Sequence, residues 1–175
     1  IVPTVETPDQ IEQLIEWIKY PPLGKRGYGV ARAQSFGYNL EDYYATWNDS
    51  SILFIQIESV LGVENIELLL EFDDVDGVML GPYDLAGSLG VPGQIDHDEV
   101  RKASKHVFET CKKFKKACGP HDVEPTLQTI QEAFNSGSTF VILASDSIGI
   151  FASFLVNVNL KTAVAILCAL NPDGV

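Results

Sequence analysis

The sequence predicts an α/β domain built on a parallel sheet. Three observations carry that expectation. Short apolar runs of strand length alternate with longer stretches of helical periodicity. The run 51–57 is continuously apolar, the mark of a strand covered on both faces, and 75–80 is the next apolar run. Polar residues gather just after those runs, where functional groups collect on parallel sheets. The same alternation fits a barrel or an open, doubly wound sheet, and patterning alone leaves both open.

Each element follows from local chemistry. A strand fragment is expected in Ile1–Thr4. Thr7-Pro8-Asp9-Gln10 reads as a capping box with proline at the first helical position, and Ile11, Leu14, Ile15 and Ile18 then share one face. Tyr20-Pro21-Pro22 stops that helix. Residues 21–50 are rich in Gly and Tyr, with a short helix expected over Leu40–Trp47. Ser51–Ile57 is a strand, a helix centred on Ile66, Leu69 and Leu70 follows, and Val75–Leu80 is the next strand. Asp96-His97-Asp98-Glu99 resembles a second capping box ahead of the stripe Val100, Ala103, Val107, Cys111 and Phe114. A strand near Lys116–Pro120 leads to a helix carrying Leu127, Ile130, Ala133 and Phe134, closed by Asn135-Ser136-Gly137. Thr139–Ala144 is a last strand, and an apolar helical tail runs from about 150 to 175. Four strands and a fragment form a single domain over residues 1–175.

Composition narrows the function. With 12 basic against 24 acidic side chains the formal charge is −12, which repels phosphate backbones and anionic lipid. Nucleic-acid and membrane-surface binding are therefore not expected. Cys111, Cys118 and Cys168 are odd in number and lack CxxC spacing, so they read as reduced, buried thiols of a cytoplasmic protein. The chain opens Ile-Val-Pro-Thr-Val-Glu, without the features of a signal peptide. Asn157, Asn159 and Lys161 interrupt the apolar stretch Ile148–Leu170, which reads as protein helix and not as a membrane span.

Two strand ends carry candidate chemistry. Residues two apart in a strand share a face, so Gln56 and Glu58 project together. Gly81-Pro82-Tyr83-Asp84 sets a second carboxylate at the same end of the next strand. Two carboxylates with waters and a chelating substrate make an octahedral oxygen site for a hard divalent ion. The plainer reading has Asp84 capping a helix over Leu85–Leu89 and Glu58 solvated in a loop. The amides of Gly81–Gly90 also offer a nest for a carboxylate. His121, after Gly119-Pro120, is a candidate to face the mouth as a general base, against the default of a loop histidine.

Five motifs occur in order: Tyr20-Pro21-Pro22-Leu23-Gly24-Lys25-Arg26-Gly27, Gln56-Ile57-Glu58, Val75 through Leu85, Ser88-Leu89-Gly90, and Asp96 through Val100. Together they resemble the HpcH/HpaI aldolase family, from residue 1 to about 150. The resemblance implies a (β/α)8 TIM barrel of which this chain is the C-terminal portion, from the end of strand 4 to strand 8 plus the C-terminal helix. It implies a class II, divalent-metal (Mg2+, Mn2+ or Co2+) aldolase that reversibly cleaves a 4-hydroxy-2-oxo acid to pyruvate and an aldehyde. Glu58 and Asp84 are then the metal ligands. Gln56 contacts the 2-oxo acid, the Tyr83 and Asp84 amides hold its carboxylate, and Asp84 helps orient the base. A metal chelated by the substrate stabilises the enolate formed on C3–C4 cleavage, and it lets so acidic a protein accept an anion. An imine route is not expected, because no lysine falls where it would line the mouth.

The sequence also departs from the family pattern. No residue matches the family's general-base histidine or its enolate-steadying arginine, and Ala86 stands where serine is usual. The expectation is a piece of a longer chain, with little or no turnover alone. By resemblance the protein is a homo-oligomer, dimers assembling to hexamers, with the apolar tail packed on a neighbour. Two rivals stand beside this reading. One is a citrate-lyase-like acyl-CoA lyase, which calls for a basic patch not seen here. The other is a catalytically silent module kept for assembly.

Overall fold

The computed structural model describes residues 1–148, and the expected tail and Cys168 lie outside them. Four strands form the sheet: β1 (Phe54–Ile57), β2 (Gly77–Leu80), β3 (Ala117–Asp122) and β4 (Ile142–Leu143). Every pairing is parallel, and the spatial order β1-β2-β3-β4 is the chain order. The expected fragment is present as a parallel bridge from Val2 to Ile55 on the free side of β1.

Among the described residues that order lacks the mark of a doubly wound sheet. A doubly wound sheet reverses its strand order partway and carries helices on both faces. Here no reversal occurs among the described residues. Most of the helices share one face, because alternate strand residues Ile55, Ile57, Val78, Leu80 and Cys118 join a single core with their residues. Those residues include Ile11 and Leu14 of α1 (Pro8–Ile18) and Val100, Val107 and Cys111 of α6 (Asp98–Phe114). α4 (Ile66–Leu70) adds Ile66, Leu69 and Leu70, and α5 (Pro82–Ser88) adds Leu85. Fully burying a Leu or Ile side chain contributes roughly 1.5–3 kcal/mol, so this face holds the sheet and helices together.

Local signals behave as expected at α1. Thr7 accepts from the Gln10 backbone, and the Gln10 side chain accepts from the Thr7 backbone. α2 (Leu40–Ser50) follows a 3-10 segment over Arg32–Gly37, and α7 (Leu127–Asn135) ends before Gly137 in the left-handed region (φ 101°).

Several expectations are corrected. The strands are shorter than the apolar runs, and β4 keeps only Ile142–Leu143 of the expected Thr139–Ala144. β1 is fully buried only at Ile55 and Ile57, so its apolar run reflects one covered face and not two. The single helix expected around Ile66 is two, α3 (Val60–Glu64) and α4, broken at Asn65, whose side chain donates to the Glu6 carbonyl. Asp96 does not cap α6. His97 does, its ring nitrogen accepting from the Glu99 amide, while Asp96 pairs with Arg101. β3 continues through His121, which is a strand residue and not a loop one. α5 begins at Pro82 with Gly81 as N-cap, so Asp84 sits in its first turn and caps no helix.

Candidate functional site

The sheet face opposite the helices carries the candidate groups in rows. Register pairs Gln56 with Met79, Ile57 with Leu80, Leu80 with Pro120, and His121 with Ile142. One residue further along, Glu58, Gly81 and His121 fall in one row at the C-terminal ends of the strands. Strand spacing of about 4.8 Å puts the Glu58 and His121 backbones roughly 10 Å apart, with Gly81 between them. A row below lie Gln56, Met79 and Gly119. At the N-terminal end the Phe54 ring stacks on Phe140 with centroids 5.1 Å apart, flooring the face with apolar contact.

Glu58 is the best-held group in this region. It is buried, with 7% of its surface exposed. Its Oε1 accepts from both the amide and the hydroxyl of Thr4, each at 2.8 Å, and its Oε2 accepts from Gln56 Nε2. A buried carboxylate needs such donors to offset lost hydration. The two residues expected to share a strand face therefore do, and they touch.

Gly81 lets this corner pack closely, because only a residue without a side chain leaves room for the Glu58 and Gln56 side chains. A Cβ there would meet Glu58 Oε2 at 2.7 Å and Gln56 Nε2 at 2.8 Å. Sequence reasoning read Gly81 as a strand end and missed this role, because the neighbours that demand it come from another strand.

Tyr83 and Asp84 stand in the first turn of α5, both exposed, Tyr83 by 49%. Gly81 offers no side chain to cap that turn. His121 is half-buried, and its Nε2 lies 2.9 Å from the Ala144 carbonyl. A carbonyl only accepts, so Nε2 carries the proton in that contact, and Nδ1 is the nitrogen with a lone pair when the ring is neutral. No group of three or more His, Cys, Asp or Glu able to hold a metal occurs among the described residues. Thr4 was missed altogether, and no sequence signal marks it.

The family model for HpcH/HpaI aldolase/citrate lyase matches residues 1–151. The chain belongs to the HpcH/HpaI aldolase/citrate lyase family. It is 40% identical over 154 residues to the 5-keto-4-deoxy-D-glucarate aldolase of Klebsiella pneumoniae, covering 87% of this chain and 59% of that one. It is 37% identical over 149 residues to the 2-keto-3-deoxy-L-rhamnonate aldolase of Salmonella dublin, covering 84% of this chain and 55% of that one. Among solved structures, an HpcH/HpaI family protein of Burkholderia cenocepacia matches with a TM-score of 0.79 at 29% identity, covering 87% of this chain and 60% of that one. The chain thus spans under two thirds of the length of these relatives.

Proposed function

We propose that this chain carries the carboxylate side of the active site in a divalent-metal-dependent pyruvate aldolase. In this reading its sheet is the C-terminal portion of a (β/α)8 barrel. The sequential, all-parallel strand order and the one-sided helical layer support that placement. The observation that carries the function is the buried Glu58 carboxylate, held at the strand ends by Thr4 and Gln56 and packed against Gly81, where a Cβ would collide with it.

The donor set fits a hard cation. Glu58 and Asp84 offer only oxygen, which suits Mg2+, Mn2+ or Co2+, and waters and substrate oxygens complete the sphere. Such an ion, when bound, polarises the carbonyl of a 2-oxo acid as a Lewis acid. The chain's residues do the rest. Gln56 orients Glu58 and contacts the substrate. The Tyr83 and Asp84 amides, at the positive end of α5, receive its carboxylate. Asp84 orients the base, and Nδ1 of His121 accepts a proton if no other histidine does. The named activities of the relatives support 2-keto-3-deoxy sugar acids, a kind of 4-hydroxy-2-oxo acid, as the substrate class, with pyruvate and an aldehyde as products. A homo-oligomer, dimer to hexamer, in the cytoplasm completes the reading. No described helix is long and apolar enough to cross a membrane.

Two measurements test it: Mn2+ titration of the chain, and pyruvate release from 4-hydroxy-2-oxo acids with Mg2+, Mn2+ or Co2+. Glu58→Ala and Asp84→Ala are expected to weaken Mn2+ binding by more than about 100-fold, since loss of a supporting residue alone costs 10–100-fold. Pyruvate release that survives EDTA would overturn the metal mechanism.

A further inference from the structure

The segment before α1 does something irregular beside Glu58. Val2 bonds to β1 as a parallel strand should, its amide to the Phe54 carbonyl and its carbonyl from the Gln56 amide. Regular pairing would next send the Thr4 amide to the Gln56 carbonyl. Instead the Val5 amide takes that acceptor, and Thr4 is left as an extra residue. Its φ is +53°, in the left-handed region that a β-branched residue rarely adopts. Both donors released by this bulge, the Thr4 amide and hydroxyl, converge on Glu58 Oε1. Bulges collect next to active sites and re-aim side chains, and backbone strain at such places persists only where the surroundings enforce it.

We propose that Thr4 is a positioning residue that fixes the Glu58 carboxylate for metal binding, acting through its hydroxyl at a bulge that also supplies the amide. The inference rests on the reading of Glu58 as a metal ligand. Oε1 is held by two donors and Oε2 by Gln56 beside Gly81, so the carboxylate keeps one orientation. Without the hydroxyl, Oε1 keeps only the Thr4 amide, the carboxylate is held less firmly, and part of its ordering must be supplied from the binding free energy.

The test is Mn2+ titration of the 175-residue chain, with Glu58→Gln as reference and thermal melting as a check on folding. Thr4→Ala is expected to raise the Mn2+ dissociation constant about 10-fold, the lower end for loss of a supporting contact. Thr4→Ser, which restores the hydroxyl, should stay within about 2-fold of the parent. Thr4→Val removes the same hydroxyl and reads the effect should the alanine variant fold poorly. Wild-type affinity in both Thr4→Ala and Thr4→Val overturns the inference, as does equal weakening in Thr4→Ser. A parent chain that binds no Mn2+, with Glu58→Gln indistinguishable from it, overturns the metal reading and this role together.

Discussion

Glycine decides several contacts that larger residues would prevent, and not all glycines matter alike. A Cβ at Gly119 would run into the Phe140 carbonyl oxygen, a backbone atom that can yield only if β3 and the segment entering β4 separate. Gly119→Ala is therefore expected to destabilise the chain by about 3 kcal/mol, read as a lower urea midpoint. Gly87, inside α5, has nothing within 4 Å of a built Cβ. Gly87→Ala should leave the fold intact and raise stability by about 0.5–1 kcal/mol, because alanine loses less backbone freedom in a helix. At this scale the sequence was partly legible. The two-residue spacing of Gln56 and Glu58 placed them on one face, since strand geometry has a fixed period. The Thr4 contact was invisible, because it depends on a local φ and on a residue 54 positions away.

Helix ends were legible where the cap closes within four residues. Thr7 and Gln10 form the box that their spacing implies, and α1 starts there. Thr7→Ala should cost about 1 kcal/mol, seen in chemical denaturation, while Thr7→Ser should retain most of that. The same signature misled at Asp96, since four polar residues in succession offer several registers for a cap. His97 took the position, and the Asp96 carboxylate was drawn instead to Arg101, 3.0 Å away. The break between α3 and α4 was illegible for a different reason. Its cause is a tertiary hydrogen bond from Asn65 to the segment before α1.

At the scale of the whole molecule, the helix layer seals two cysteines into the core. Cys111 on α6 and Cys118 on β3 are buried and free. The hydrogen bond with Cys111 and then burial push the Cys118 thiol far above its ordinary range. Both thiols are therefore expected to resist iodoacetamide in the native chain and to react once guanidinium unfolds it, followed residue by residue in a mass spectrum. The same shift has a sign for stability. The unfolded thiol ionises near pH 8.5 and the folded one only at higher pH, so this contribution is complete below that pH and declines as pH rises past it.

The amino-acid sequence on its own determined the alternation of strand and helix, the α1 cap, the parallel sheet and the pairing of Gln56 with Glu58, all of which depend on periods of a few residues. Tertiary structure alone decided the one-sided winding of the sheet, the row joining Glu58, Gly81 and His121, and the bulge that turns Thr4 onto Glu58. The division has one physical cause. Local backbone geometry repeats along the chain and is written in spacing, whereas the closeness of remote residues depends on register and packing, which no short window of sequence contains.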